Sequence, residues 1–90
     1  MTFEWDEAKN KVNIQKHGID FEDVKSVFNH PMLKRLDTRE NYGEDRFIAL
    51  GMMYENVVVV VYVERRENLR IISARKATKQ ERRIYEQEIF

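Results

Sequence analysis

The spacing of apolar residues along this chain changes from that of helices to that of strands and returns to a helix at the end. After a short opening strand at 3–5, the spacing predicts one helix that Asp6 caps and Gly18 ends. It predicts a second helix that starts after Asp20 and stops before Pro31. The first helix has only a narrow apolar face, so we expect it to lie on the surface of a sheet.

The middle of the chain has the pattern of a β-sheet. Residues 57–63 are apolar throughout, which is typical of a central strand covered on both faces. The strands predicted around it are 33–37, 46–53 and 69–74. Arg66–Asn68 is short enough for a hairpin loop, and the capping box of Thr78 and Glu81 starts a final helix that runs to about Ile89.

This order of elements predicts an α+β fold. We expect an antiparallel sheet, with a central three-stranded meander and edge strands, packed against two N-terminal helices and one C-terminal helix. The length fits one domain, 1–90, with one core. The chain has no cysteine, no apolar run typical of a secretory signal and no apolar stretch long enough to cross a bilayer, which predicts a cytoplasmic protein without a membrane partner.

The charges are unevenly distributed, although Lys plus Arg and Asp plus Glu both number 16. Residues 1–64 carry 8 basic and 12 acidic side chains, residues 65–83 carry 8 and 2, and residues 84–90 add 2 acidic ones. Six of the eight cations in the middle segment are Arg, whose planar guanidinium suits a phosphate. Charge alone leaves two interpretations open, a solvated surface that balances the acidic helices or a binding site for a polyanion.

The predicted hairpin turns part of this basic segment into a surface. With Glu67-Asn68 as its turn, Arg65 would lie opposite Arg70, and Arg66 would share the other face with Arg75. A three-residue turn would exchange the two sets. In either register at least two guanidinium groups meet on one face, and the free N–H groups at the start of the last helix favour an anion close by.

Short motifs follow one another along the chain in a recognisable order. In the first half they are Phe3-Glu4-Trp5-Asp6-Glu7-Ala8-Lys9, Asn13, Lys16-His17-Gly18, Phe21-Glu22 and Val27-Phe28. In the second half they are Gly43-Glu44-Asp45-Arg46, Gly51, Arg70-Ile71-Ile72-Ser73-Ala74-Arg75-Lys76-Ala77, Glu81-Arg82 and Tyr85-Glu86. With this order and spacing, essentially the whole chain resembles the BrnT family, the toxin half of a type II toxin–antitoxin pair, whose fold is similar to that of RelE-type ribonucleases.

The resemblance implies a metal-independent endoribonuclease that cleaves mRNA, inhibits translation and growth, and uses no cofactor. It also implies neutralisation by a BrnA-like antitoxin, which would bind operator DNA through a ribbon-helix-helix domain, and it allows a homodimer within the complex. The alternative is a non-catalytic module of the same fold that docks an antitoxin or nucleic acid through the basic segment.

RNA cleavage without a metal requires attack of a 2′-hydroxyl on the adjacent phosphate, neutralisation of the developing charge and two proton transfers. We predict that Arg65 and Arg75 clamp the phosphate and the transition state. Supporting phosphate contacts are predicted for Arg46, Arg70 and Lys76. The candidates for proton transfer are His17, which could instead only bind helix carbonyls, and Tyr85, which could instead be a core or stacking aromatic.

The acidic residues between 37 and 45 are the only other cluster that suggests chemistry. They lack a fixed ligand spacing, so we predict no metal site there and expect them to be solvated. The polar, glycine-containing segment 38–44 is predicted to be the most flexible part of the chain.

Overall fold

A computed structural model describes residues 2–89, over which the chain forms five strands and three α-helices. The strands are β1 (Thr2–Glu4), β2 (Leu33–Leu36), β3 (Arg46–Met53), β4 (Asn56–Arg65) and β5 (Asn68–Lys76). The helices are α1 (Glu7–His17), α2 (Phe21–Val24), which continues as a 3-10 helix (Lys25–Asn29), and α3 (Lys79–Ile89). The predicted α+β class is confirmed.

The strands form one mixed sheet in the order β1-β5-β4-β3-β2. Strands β2 to β5 pair antiparallel, whereas β1 runs parallel to β5, with Thr2 beside Asn68 and Glu4 beside Arg70. The prediction of an antiparallel sheet is therefore wrong at this edge. Apolar alternation shows that a segment is a strand but carries no information on its direction relative to a strand distant in the chain.

The two faces of the sheet are covered by different parts of the chain. One face carries a buried apolar cluster that joins the sheet to α2, the 3-10 helix and the segment before them. Its members are Ile19, Phe21, Val24, Val27, Ala49, Met53, Val58, Val60, Tyr62, Leu69, Ile71 and Ala74. The opposite face, called here the α3 face, carries the alternate residues Ile48, Leu50 and Val59, which line a groove together with Ile84 of α3.

The ends of α1 and the start of α3 are fixed by the residues that the sequence marks. The Asp6 carboxylate accepts hydrogen bonds from the backbone N–H groups at positions 8 and 9, and Gly18 ends α1 at a positive φ of 68°. At α3 the capping box is formed in both directions, since Glu81 N–H donates to Thr78 Oγ1 and Thr78 N–H donates to Glu81 Oε1. These boundaries confirm the predicted ends of α1 and the predicted start of α3.

A buried asparagine attaches α1 to the edge of the sheet. Strand β1 pairs with β5 only as far as Arg70, and beyond that point the side chain of Asn13 takes the place of a strand. Its Oδ1 accepts from Ala74 N–H at 3.1 Å, and its Nδ2 donates to Ala74 C=O at 3.0 Å and to Ile19 C=O at 2.9 Å. Because His17 follows Asn13 by one helical turn, this attachment brings the end of α1 beside Arg75.

Within residues 2–89 no helix is both long and apolar enough to span a membrane.

Candidate active site

One bulged residue decides which arginines of β5 share a face. The β4–β5 ladder pairs Val63 with Arg70 and Val59 with Arg75, and its register shifts at Ile72. Arg70 and Arg75 are an odd number of positions apart and would lie on opposite faces of a regular strand. The bulge instead places both on the α3 face.

The hairpin turn is Arg66–Glu67 rather than the predicted Glu67-Asn68. Arg65 pairs with Asn68 instead of Arg70, and Arg66 adopts a positive φ of 52°. The turn lies one residue earlier than predicted, which changes the partner of Arg65 by two positions. The prediction is wrong because the strained turn position is occupied by an arginine, whereas the usual sequence signal for such a turn is Gly, Asn or Asp.

Arg65 and Arg75 lie on the same face of the sheet but far apart. Arg75 pairs with Val59, and Arg65 lies six residues further along β4, a separation of about 20 Å at ~3.3 Å per residue. The basic segment therefore forms two sites. We call them the hairpin cluster, around Arg65, and the junction cleft, where β5 leads into α3.

The junction cleft gathers cationic and titratable side chains from four parts of the chain. Arg35 comes from β2, Arg39 from the loop that follows it, Arg75 from β5 and His17 from the last turn of α1. The other residues that line the cleft include Ser73, Glu81, Ile48, Val59 and Val61. Three arginines and a histidine thus line one depression together with apolar residues of the sheet, an arrangement suited to a phosphodiester.

Glu81 fixes the orientation of Arg75. Two parallel hydrogen bonds join them, Nη1 to Oε1 at 2.8 Å and Nη2 to Oε2 at 3.0 Å, and the Arg75 Nη1 also donates to the carbonyl of Lys76 at 3.2 Å. The hydrogen bond from Arg75 lowers the pKa of Glu81 to about 2, against the opposing effect of burial. A carboxylate with so low a pKa is a poor proton acceptor, so Glu81 serves to orient the guanidinium.

The positive charge of Arg39 affects the pKa of Arg75. The hydrogen bond to Glu81 raises the pKa of Arg75, and the positive charge of Arg39 acts in the opposite sense because the two cations are close. Arg39 is itself held by Asp37, through bonds of 2.8 Å from Nε and from Nη2. Among residues 2–89, no carboxylate lies within ion-pair distance of Arg35.

His17 lies at the rim of the cleft. It is exposed, and it lines the cleft together with Ser73 and Arg75. The last turn of α1 is closed by the Gly18 N–H, which donates to Ile14 C=O at 2.8 Å. Over the described part of the chain no hydrogen bond holds the imidazole, so it is available to a bound molecule.

The hairpin cluster brings three of the predicted residues together around Val63. Arg46 and Arg70 flank Val63 on the neighbouring strands, and Arg65 follows it on the same face of β4. Two of these cations, Arg65 and Arg46, already have partners in the fold. Arg65 pairs with Glu44 at 2.9 Å and with Glu4 at 3.6 Å, and the Arg46 guanidinium lies 4.0 Å from the ring centre of Tyr42.

Two other predicted residues lie apart from both sites. Lys76 pairs with Val58, whose side chain belongs to the apolar cluster on the opposite face. Tyr85 is only 1% exposed, its hydroxyl donates to Pro31 C=O at 2.9 Å, and burial raises its pKa. This position gives Tyr85 a role in attaching α3 to the chain before β2.

Three residues that line the cleft, Arg35, Arg39 and Glu81, are not among the site residues predicted from the sequence. Arg35 follows Lys34 in a short edge strand, where two adjacent cations are typical of a solvated edge, and Arg39 lies in the segment expected to be flexible. Glu81 was explained by the capping box. The usable signal was its spacing from Arg75, since a capping box placed directly after a strand brings its acidic residue back over the strand end.

Comparison with known proteins shows the family of the chain. Residues 5–81 match a family model described as the ribonuclease toxins of type II toxin–antitoxin systems. Within that class the chain belongs to the BrnT family, as the motifs in its sequence suggest. A search of curated proteins gives no match. Membership of a type II toxin–antitoxin family implies an RNA target and an antitoxin partner.

Proposed function

We propose that this protein is a metal-independent endoribonuclease that cleaves mRNA at the junction cleft, with His17, Arg35, Arg39 and Arg75 as the residues that contact the RNA. The observation that carries the proposal is that three arginines and a histidine, from four parts of the chain, line one depression. Membership of the BrnT family supplies the reaction class.

The chemistry follows from what these groups can do. His17 takes the proton of a 2′-hydroxyl, the 2′-oxygen bonds to phosphorus, and the bond from phosphorus to the 5′-oxygen breaks. The leaving 5′-oxygen takes up a proton from water at the exposed cleft, and the products are a 2′,3′-cyclic phosphate and a 5′-hydroxyl. Arg39 and Arg75 neutralise the phosphorane dianion, which is the charge that a metal ion would otherwise balance.

The hairpin cluster has a different part in this proposal. It lies on the same face about 20 Å from the junction cleft, which is the reach of a few nucleotides of extended RNA. Arg65 and Arg70 would bind backbone phosphates away from the cleavage point, so they contribute affinity and not chemistry.

The biological setting is part of the same proposal and is supported by family membership. Cleavage of mRNA would stop translation and growth, and a BrnA-like ribbon-helix-helix antitoxin would neutralise the toxin and bind operator DNA. The likeness of the fold to RelE-type ribonucleases and a homodimer within the complex belong to this proposal as well.

The test is cleavage of a short RNA by the purified chain, free of antitoxin, in the presence of EDTA. We expect cleavage by the wild type, none of an RNA with a 2′-deoxy sugar at the cut position, and loss of cleavage in Arg75→Ala. Arg66→Ala is the matched control, because this arginine is exposed at the hairpin turn. RNA that is bound but stays intact would contradict the proposed enzymatic activity and favour a non-catalytic binding module.

A further inference from the structure

The loop between β2 and β3 is closed at its base by a backbone contact. Asp37 N–H donates to Arg46 C=O at 2.7 Å, directly beside the last β2–β3 pair, Leu36 with Phe47. The segment expected to be the most flexible therefore starts and ends at a fixed point. Residues 38–45 form a closed loop at one end of the sheet.

Inside this loop, the Asp37 carboxylate is completely inaccessible to solvent and is fully used as an acceptor. Arg39 donates to it from Nε and Nη2, both at 2.8 Å, and from its backbone N–H at 3.2 Å. The Tyr42 hydroxyl adds a fourth bond at 3.2 Å. The hydrogen bonds from Arg39 hold the pKa of Asp37 well below its usual range, so the carboxylate is ionised throughout the physiological range.

Tyr42 connects this group to the sheet. Its hydroxyl reaches Asp37, and its ring lies under the guanidinium of Arg46 at 4.0 Å from the ring centre. Asp37 and Arg46 are the two ends of the loop, so Tyr42 is held at both sides. Closure of the loop does not require these side-chain contacts, since the backbone hydrogen bond between Asp37 and Arg46 already closes the loop.

What these contacts hold is the guanidinium of Arg39. Two of its nitrogens bind Asp37, while its side chain is 64% exposed and lines the junction cleft beside Arg75. Arg39 and Arg75 repel each other, so an unrestrained Arg39 would turn away from the cleft into solvent. Asp37 opposes that movement through a bidentate geometry that a rotating side chain cannot easily leave.

We propose that Asp37 is a positioning residue of the ribonuclease, which acts by holding the guanidinium of Arg39 against the scissile phosphate. This role rests on the proposed function. It makes Asp37 and the loop 38–45 part of the active site. Arg39 touches the substrate, and Asp37 acts only through Arg39.

A double-mutant cycle on single-turnover cleavage tests this, with Asp37→Asn, Arg39→Ala and the double variant. Arg39→Ala is expected to lower the single-turnover rate constant about 100-fold, because it removes one preorganised donor to the transition state. Asp37→Asn is expected to lower this rate constant about 10-fold through misplacement of Arg39. In the Arg39→Ala background, Asp37→Asn should change it less than about two-fold, since no guanidinium is left to position.

Controls separate this from a structural effect. Glu40→Gln removes an exposed acid of the same loop and should cleave as the wild type does. Tyr42→Phe deletes a single hydrogen bond to Asp37 and replaces Asp37→Asn in the cycle if that variant does not fold. It should lower the single-turnover rate constant when Arg39 is present and leave it unchanged in the Arg39→Ala background.

The inference is wrong if Asp37→Asn and Tyr42→Phe reduce cleavage equally in both backgrounds, or if Arg39→Ala cleaves normally. If the wild-type chain itself does not cleave RNA in EDTA, the proposed function fails and the inference fails with it. If the wild type cleaves and the effects of Asp37→Asn and Arg39→Ala are independent of each other, the positioning role of Asp37 is wrong while the proposed function stands.

Discussion

Arg75 and Glu81 face each other across the junction of β5 and α3 and are joined by two parallel hydrogen bonds of 2.8 and 3.0 Å. The same Glu81 Oε1 accepts from Thr78 N–H at 2.8 Å, so one carboxylate caps the helix and orients the arginine. The start of α3 and the cleft are therefore built on one side chain, and a change at Glu81 should affect both stability and cleavage.

The pH dependence of the Glu81 contribution has a defined sign. The hydrogen bond from Arg75 lowers the pKa of Glu81 from 4.5 to about 2, so the stabilisation is complete above pH 4.5 and is lost as the pH falls towards 2. Glu81→Gln should cost about 1 kcal/mol at pH 7, since the pair is partly solvated. Urea unfolding of both proteins at several pH values measures this, and a difference that grows below pH 4 would contradict it.

The hydrogen bonds of Asn13 to Ala74 and Ile19 predict that removing this side chain lowers stability. Asn13→Ala leaves the N–H and C=O of Ala74 and the C=O of Ile19 without their side-chain partner, which should cost about 2 kcal/mol and lower Tm by roughly 10 °C. Gln15→Ala, at an exposed position of α1, is the control and should leave Tm unchanged. Equal melting temperatures for the two variants would show that Asn13 does not hold α1 to β5.

Tyr85 distinguishes a structural from a catalytic role. Its hydroxyl donates to Pro31 C=O and is buried, so Tyr85→Phe should lose about 1 kcal/mol of stability and keep cleavage within about two-fold. Thermal unfolding and single-turnover cleavage give the two values. A Tyr85→Phe protein with unchanged stability and at least a 100-fold slower cleavage would support Tyr85 as a proton-transfer residue, the role for which the sequence makes it a candidate.

The features that sequence analysis predicted correctly are local. Asp6 and Gly18 mark the ends of α1, and Thr78 with Glu81 starts α3, because each signal acts over a few residues. The charge of residues 65–83 and the motif around His17 also made Arg75 and His17 candidate site residues, and their roles stay predictions. Both line the junction cleft.

The features that were missed depend on contacts between distant residues. The face of Arg75 is set by the bulge at Ile72, close to the point where Asn13, 61 positions before Ala74, binds the strand edge. Arg39 reaches the cleft because a buried carboxylate holds it. Neither periodicity nor composition records such contacts, which is why the sequence grouped Arg65 with Arg75 and overlooked Arg39.

The most direct test of a cleavage site at the junction cleft compares Arg75→Ala with Arg65→Ala, two arginines on one face about 20 Å apart. Single-turnover cleavage at saturating enzyme should fall at least about 100-fold in Arg75→Ala and less than about three-fold in Arg65→Ala. In Arg65→Ala the loss should appear as weaker, less salt-dependent RNA binding. A large loss of single-turnover rate in Arg65→Ala, with Arg75→Ala close to the wild type, would contradict the account and place the chemistry at the hairpin cluster.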